Sequence, residues 1–455
     1  MLVQELERNL LRGDESAGND LVLQELRRAI RSVAQPVPRI GDVARMFFLP
    51  IEPFLVDARA DHKRIGRIAR VSLEPIWSWI VRDLIPSEAK ALNEDINRAL
   101  VAGDRIKADQ MVRALHDRAT QRMKEAVSGI GADEKARRRL AVQVGTPRAM
   151  EDLNTILSIL TLRDVLADLA RRLPPHIRNF ERDQVDPVKM HLDTAAAKIT
   201  VDTDGMRKSD VFLYGLILVM NRLAAPWQLI HIATRAAESD EPARVAETPY
   251  AAAVTIVLGE TESMVGELRL ELKAGRPIVS LLKGIHDAAR GLRSEMDLSV
   301  DSPWSRQLAA IRADVSGLLK TEIEATPGTV RRLLRPRPAK EIAPGSLLDA
   351  LDVNEAEARV EFVGACRHYA SELAINEATM RAHSELTLYL ETGTKVLLDS
   401  LRQAGDADRP FRQSQFDAAI RFCRRVFGGD YANLLVKAAE VALQTASAER
   451  RAVRV

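Results

Sequence analysis

Eight histidines and two cysteines are the side chains with which this chain could hold a metal, relay protons or attack a carbonyl. No histidine falls in an HExxH pair, and none follows a glutamate by three residues. The helix signatures of zinc peptidases and of di-metal carboxylate bundles are therefore absent. His368 and Glu372 stand one helical turn apart, which reads as a surface or packing pair and not as half of a metal site. Cys366 and Cys423 lie far apart and outside any CxxC, so reduced thiols are expected in place of a disulfide framework or zinc site. There is no GxxxxGK[ST] and no GxSxG, and Gly129-Ile-Gly131 lacks the third glycine of a dinucleotide fingerprint. These motifs nominate no catalytic residue, no cofactor and no metal.

Two His-Asp pairs, His116-Asp117 and His286-Asp287, match the central element of the HD-type metal-dependent phosphohydrolases. That chemistry also needs an earlier His and a later Asp on the same metal, with His62 or His231 as formal candidates. The periodicity around residue 116 instead reads as an ordinary amphipathic helix. The stretch from Thr200 to Val211 places Asp202, Asp204 and Gly205 as in a calcium loop, but Thr200 and Val211 occupy positions that need oxygen ligands. A polar turn is the expectation there.

The segment that stands out is Met46 to Val56, MFFLPIEPFLV, which carries Phe47, Phe48 and Phe54 with Pro50 and Pro53. Trp77 and Trp79 follow, and between them lie Arg59, Lys63, Arg64, Arg67 and Arg70. An apolar, proline-stiffened stretch next to a basic one has two readings. It can dock on a membrane surface or partner through Phe47, Phe48, Phe54, Lys63, Arg64, Arg67 and Arg70. Or it is core, with the aromatics packed and the arginines solvated, which is the commoner use of aromatic side chains.

The elements that would position these residues are helices. Apolar residues recur in steps of three and four from Ala108 to Ile130, and again from Phe416 to Phe427 and Tyr431 to Ala442, the last two separated by Gly428-Gly429 as in a helical hairpin. Five Ser/Thr/Asp-Pro dipeptides, at Thr146, Asp186, Thr248, Ser302 and Thr326, read as helix starts, and Asp352 with Glu355 as a capping box. Strand signals are confined to Lys198–Val201 and Pro277–Leu281. The expected fold is all-α, an elongated array of helical hairpins and bundles with little or no β-structure. Its expected parts are an N-terminal helix and polar linker (1–20), two helical regions (21–145 and 146–330), a Pro/Arg-rich linker (331–346) and a C-terminal bundle (347–455).

Composition bounds the function. With 66 Lys+Arg against 64 Asp+Glu, and only 4% aromatic residues, neither phosphate neutralisation nor base stacking is well supplied, so no nucleic acid is expected. Arginine far outnumbers lysine, as in GC-rich bacterial coding sequences. The N-terminus reads as no signal peptide, and the longest apolar run, Val211 to Met220, is half the length of a membrane-spanning helix. The expectation is a cytoplasmic, non-enzymatic interaction or scaffold protein that presents helix faces to a protein partner. Peripheral membrane docking through residues 46–70 is the alternative, and an HD-type phosphohydrolase the third reading.

Overall fold

Helices start where a side chain can accept from the backbone N–H groups that the first turn leaves unpaired. A computed structural model describes residues 42–57, 64–129, 133–199, 207–299 and 301–453, and it is about 80% helical. Thr146 Oγ1 accepts from the amide of Ala149 (3.1 Å) at the head of one helix. Ser302 and Ser305 form a reciprocal box at the head of another. The other dipeptides behave differently. Thr326-Pro327 is buried inside a helix, Pro187 also lies within one, and Thr248 precedes only a short 3-10 turn without a side-chain cap. Near 350 the cap is Asp349, which accepts from the amide of Leu351, so Asp352 falls within the first turn.

The described residues contain seventeen α-helices and one two-stranded parallel sheet, β1 (Leu55–Val56) beside β2 (Ile68–Ala69), so the chain is all-α. By compactness it divides into two units. The first draws its described residues from the stretches up to Ala58, Gly66–Leu173 and His191–Leu218. It contains α1 (Asp42–Phe48), a 3-10 turn (Leu49–Phe54), both strands, α2 (Leu73–Trp79), α3 (Pro86–Val101), α4 (Arg105–Ser128), α5 (Glu134–Val144) and α6 (Pro147–Arg172). The chain crosses between the units within α7 (Arg182–Ala197) and α8 (Lys208–Met220).

In this unit α6 is apolar around most of its circumference, with Leu153, Ile156, Ile159, Leu160, Leu162 and Leu166 all buried. Such a helix needs cover on several sides, and the 3-10 turn, β2, α2, α4 and α5 supply it. Asp152, 1% exposed, is its one buried carboxylate. Its Oδ2 accepts from the amide of Ala69 (3.0 Å) and from Ser72 Oγ (2.7 Å), which ties the turn between β2 and α2 to α6. Gly66, with φ of 65°, sits so close to α8 that a Cβ would lie 2.4 Å from Ile217 Cδ1.

The second unit draws its described residues from the stretches Arg59–Ile65, Pro174–Met190 and Val219–Val455. It holds α9 (Ile230–Ala237), α10 (Pro242–Ala246), α11 (Ala252–Lys273), α12 (Val279–Glu295), α13 (Pro303–Leu334), α14 (Ala350–His368), α15 (Asn376–Arg402), α16 (Arg409–Phe427) and α17 (Gly429–Val453). α13 packs on α11, and on α14, α15 and α16, with which it forms a bundle; α17 covers α15 and α16. Gly428, at φ 93°, turns the chain between α16 and α17 where the Gly-Gly break predicts a hairpin. The stretch read from the sequence as the linker 331–346 lies inside this unit. Its first residues belong to α13, and the remainder is bonded to the start of α16. Gln415 Nε2 donates to the carbonyls of Leu333 and Arg335 (2.9 Å each), Gly345 N to Ala407 O (3.1 Å), and the Arg337 guanidinium lies 5.1 Å from the Phe411 ring centroid. The polar N-terminal stretch 1–20 lies outside the described residues.

Replacing Asp152 by Ala strands two buried donors at about 1–3 kcal/mol each, so a loss of about 3 kcal/mol in unfolding free energy is expected. Asp152→Asn keeps an acceptor oxygen and should lose less. Denaturant melts of both variants, followed by circular dichroism, measure the difference.

Candidate functional site

Phe47, Phe48, Ile51 and Phe54 of the apolar segment around residue 50 form core, while Leu49 is exposed. Pro50 and Pro53 hold Leu49–Phe54 in a 3-10 turn, and that turn directs Phe54 inward behind Phe47 and Phe48. The three rings are 0%, 2% and 1% exposed for Phe47, Phe48 and Phe54. Phe47 meets Phe48 edge-on (5.1 Å between centroids) and lies against Trp77 and His116, while Phe54 meets Tyr214 edge-on (5.6 Å). The basic residues are engaged too. Arg67 donates to the carbonyl of Pro53 (3.1 Å), and Arg70 bonds Asp57 (2.8 Å) and Glu52 (3.1 Å). Arg64 belongs to the second unit, where it bonds Glu260, Ser263 and Glu267 along one face of α11. Lys63 lies outside the described residues.

The docking surface expected from Phe47, Phe48, Phe54, Lys63, Arg64, Arg67 and Arg70 is thereby corrected: its aromatics are interior and its described arginines hold the chain to itself. The physical reason is that each Phe gains roughly 1.5–3 kcal/mol on leaving water, and the neighbouring helices offer a place to leave it.

The His-Asp pairs do not converge either. His116 Nε2 donates to the carbonyl of Phe47 (2.6 Å), and burial holds its pKa below the ordinary value, so the ring is neutral. Asp117 turns the other way into an ion pair with Arg163 (2.5 Å). His286 bonds its neighbour Asp287 (3.0 Å) and lies against Tyr369. Glu372, the companion of His368 in the sequence reading, pairs with Arg293 (2.9 Å). No group of three or more His, Cys, Asp or Glu side chains among the described residues could hold a metal ion. The calcium-like residues Asp202, Asp204 and Gly205 lie outside the described residues, and Val211 is buried in α8. Cys366 and Cys423 are free and buried, and burial pushes both thiols up to about 12.

Two features escape sequence reading. One is a cavity of about 560 Å³ in the second unit, lined by Phe180, His231, Arg235, Glu238 and Glu295 among others. His231 Nδ1 donates to the carbonyl of Phe180 (2.6 Å), its Nε2 lies 3.6 Å from Glu295 Oε2, and Glu238 ends α9 at φ 50°. No local motif could signal it, because its walls come from three separate stretches of chain. The other is the outer surface of the C-terminal bundle. Met380, Leu388 and Val396 on α15 are 66%, 65% and 49% exposed, and Leu434 and Val441 on α17 are 65% and 58% exposed. The three/four periodicity that announces α17 does not tell which of its apolar positions stay uncovered.

Comparison with protein-family models, with curated proteins and with solved structures finds no match. No helix among the described residues is long and apolar enough to cross a membrane.

Two outcomes are expected. Phe47→Ser should lower stability by at least about 3 kcal/mol, as large-to-small core changes do, seen as a large fall in melting temperature. Neither cysteine should react with Ellman's reagent in the native protein at mildly alkaline pH, and both should react once it is unfolded, because only the thiolate attacks.

Proposed function

We propose that this chain is a non-catalytic interaction protein whose C-terminal bundle, α13–α17, presents a helix face to a protein partner. The observation that carries the reading is the outer face of α15. Leu388, Thr392 and Val396 follow one another at steps of four, and all three are exposed. Glu391, Lys395 and Asp399 border them, also exposed. A narrow apolar ridge with charges of both signs at its margins suits the apolar face of an amphipathic partner helix. The rigid bundle behind it favours recognition, since little ordering is needed on binding. The use of His116, Asp152 and Gln415 to hold helices and turns in place agrees with a scaffold role. The free thiols and the arginine-rich composition support a bacterial cytoplasmic setting.

Affinity capture from the native host tests this. A partner held by the wild-type chain should be lost with Leu388→Asp/Val396→Asp, while the melting temperature stays within a few degrees because both side chains already face water. Capture that is unchanged in the double variant sets the α15 face aside.

A further inference from the structure

Among the described residues, His116 is the one histidine that the fold takes out of water, at 4% exposure. Its ring lies against that of Phe47, 4.8 Å between centroids, and its Nε2 donates to the Phe47 carbonyl (2.6 Å). A neutral imidazole has a single N–H, and this contact uses it. The other ring nitrogen, Nδ1, is buried and has no hydrogen-bond partner among the described residues. Thr120 Oγ1, one turn further along α4, is buried and unbonded as well, so it is not within reach of Nδ1.

A proton added at Nδ1 therefore creates a buried donor without an acceptor, and a charge in the core. The charges around the ring do not offset this. From α6 comes Arg163, half-buried, whose cation opposes a second positive charge. The two acids nearby, Asp117 on α4 and Asp164 on α6, are exposed and both already pair with Arg163 (2.5 and 3.7 Å). On α3, Glu88 pairs with Arg118 of α4 (3.0 Å). Arg82 and Asp83, in the turn Ile80–Leu84, pair with each other (2.7 Å), and Arg45 on α1 is exposed. Burial holds the ring's pKa below its ordinary value; the bond to Phe47 works against this, and Arg163 works with it.

We propose that His116 is an acid-released latch: its neutral ring fastens α1 and the turn Leu49–Phe54 over α4, and protonation lets them go. The direction follows from linkage. Above the ordinary histidine pKa of about 6.5 the ring is neutral in both the closed and the open form, and pH leaves the latch alone. Below it the open form takes up the proton and the closed form resists it. Opening then gains up to about tenfold for each pH unit, until the closed form titrates too. Phe47 and Phe48 are what the latch holds inside, so acid exposes a segment that is core at neutral pH. This device sits in the first unit and is separate from the α15 face, so either reading can fail without the other.

Hydrogen exchange of the full chain, followed by mass spectrometry from pH 7.5 to 5.0 and corrected for the intrinsic rate, reads the opening directly. Peptides covering residues 43–54 should lose protection by up to about tenfold per pH unit below 6.5, while those covering α15 and α16 should not. His116→Gln offers an amide donor to the Phe47 carbonyl but does not titrate, and its residues 43–54 should keep the same protection across the range. By proton NMR, the ring C–H resonance missing in His116→Gln should titrate below free histidine in the wild type, and should move upward in Arg163→Gln. The wild-type titration and Arg163→Gln decide the matter even if His116→Gln does not fold. The proposal is overturned by protection of residues 43–54 that is constant from pH 7.5 to 5.0, by an equal loss in His116→Gln, or by a His116 resonance that titrates at or above free histidine.

Discussion

A carboxylate taken out of water must be met by donors, and Asp152 in α6 is the point where that requirement organises the first unit. The amide of Ala69 and the hydroxyl of Ser72 come to it, and this decides where β2 turns into α2. Once that corner is set, β2 pairs with β1 in a parallel register, Leu55 with Ile68 and Val56 with Ala69. The 3-10 turn that precedes β1 is then laid over α6, and Arg67 closes it by donating to Pro53. The aromatic rings of Phe47, Phe48 and Phe54 are interior because the chain has been brought to this place. His116 completes the arrangement from α4, donating to the Phe47 carbonyl.

The second unit is organised by helix ends. Four carbonyls at the end of any helix lack intrahelical partners, and at the end of α13 Gln415 reaches across from α16 to take two carbonyls at once. That bond makes the Pro/Arg-rich stretch after α13 a fixed corner of the bundle. Elsewhere glycine sets the approach. The Trp227 ring packs so closely on Gly291 of α12 that a Cβ there would lie 2.2 Å from it. Arg64 and Ile65 are held similarly, Ile65 against Gly259 and Arg64 against the acidic face of α11.

The distribution of reactive groups follows from the same economy of burial. Neutral His116, the two high-pKa thiols and the bonded Asp152 sit where the helices need a donor, a small apolar filler or an acceptor. Some large apolar side chains stay outside, among them Met380, Leu388 and Val396 on α15 and Leu434 and Val441 on α17.

By itself the sequence determined the helical class, the amphipathic face of α4, the hairpin at Gly428-Gly429 and the helix starts at Thr146 and Ser302. These were legible because each depends on residues within a turn or two of one another: a cap and its amide, an apolar repeat, a glycine at positive φ. Tertiary structure alone decided that Phe47, Phe48, Ile51 and Phe54 are core, since their cover comes from distant elements such as α4, whose His116 lies 69 positions from Phe47. It alone decided that Thr326-Pro327 continues a helix, that Gln415 turns an expected linker into a corner, and that the cavity at His231 exists at all. A three/four repeat of apolar side chains specifies that a helix has a face to bury. Which face finds a neighbour, and which is left for a partner, depends on contacts between residues that the local pattern cannot relate.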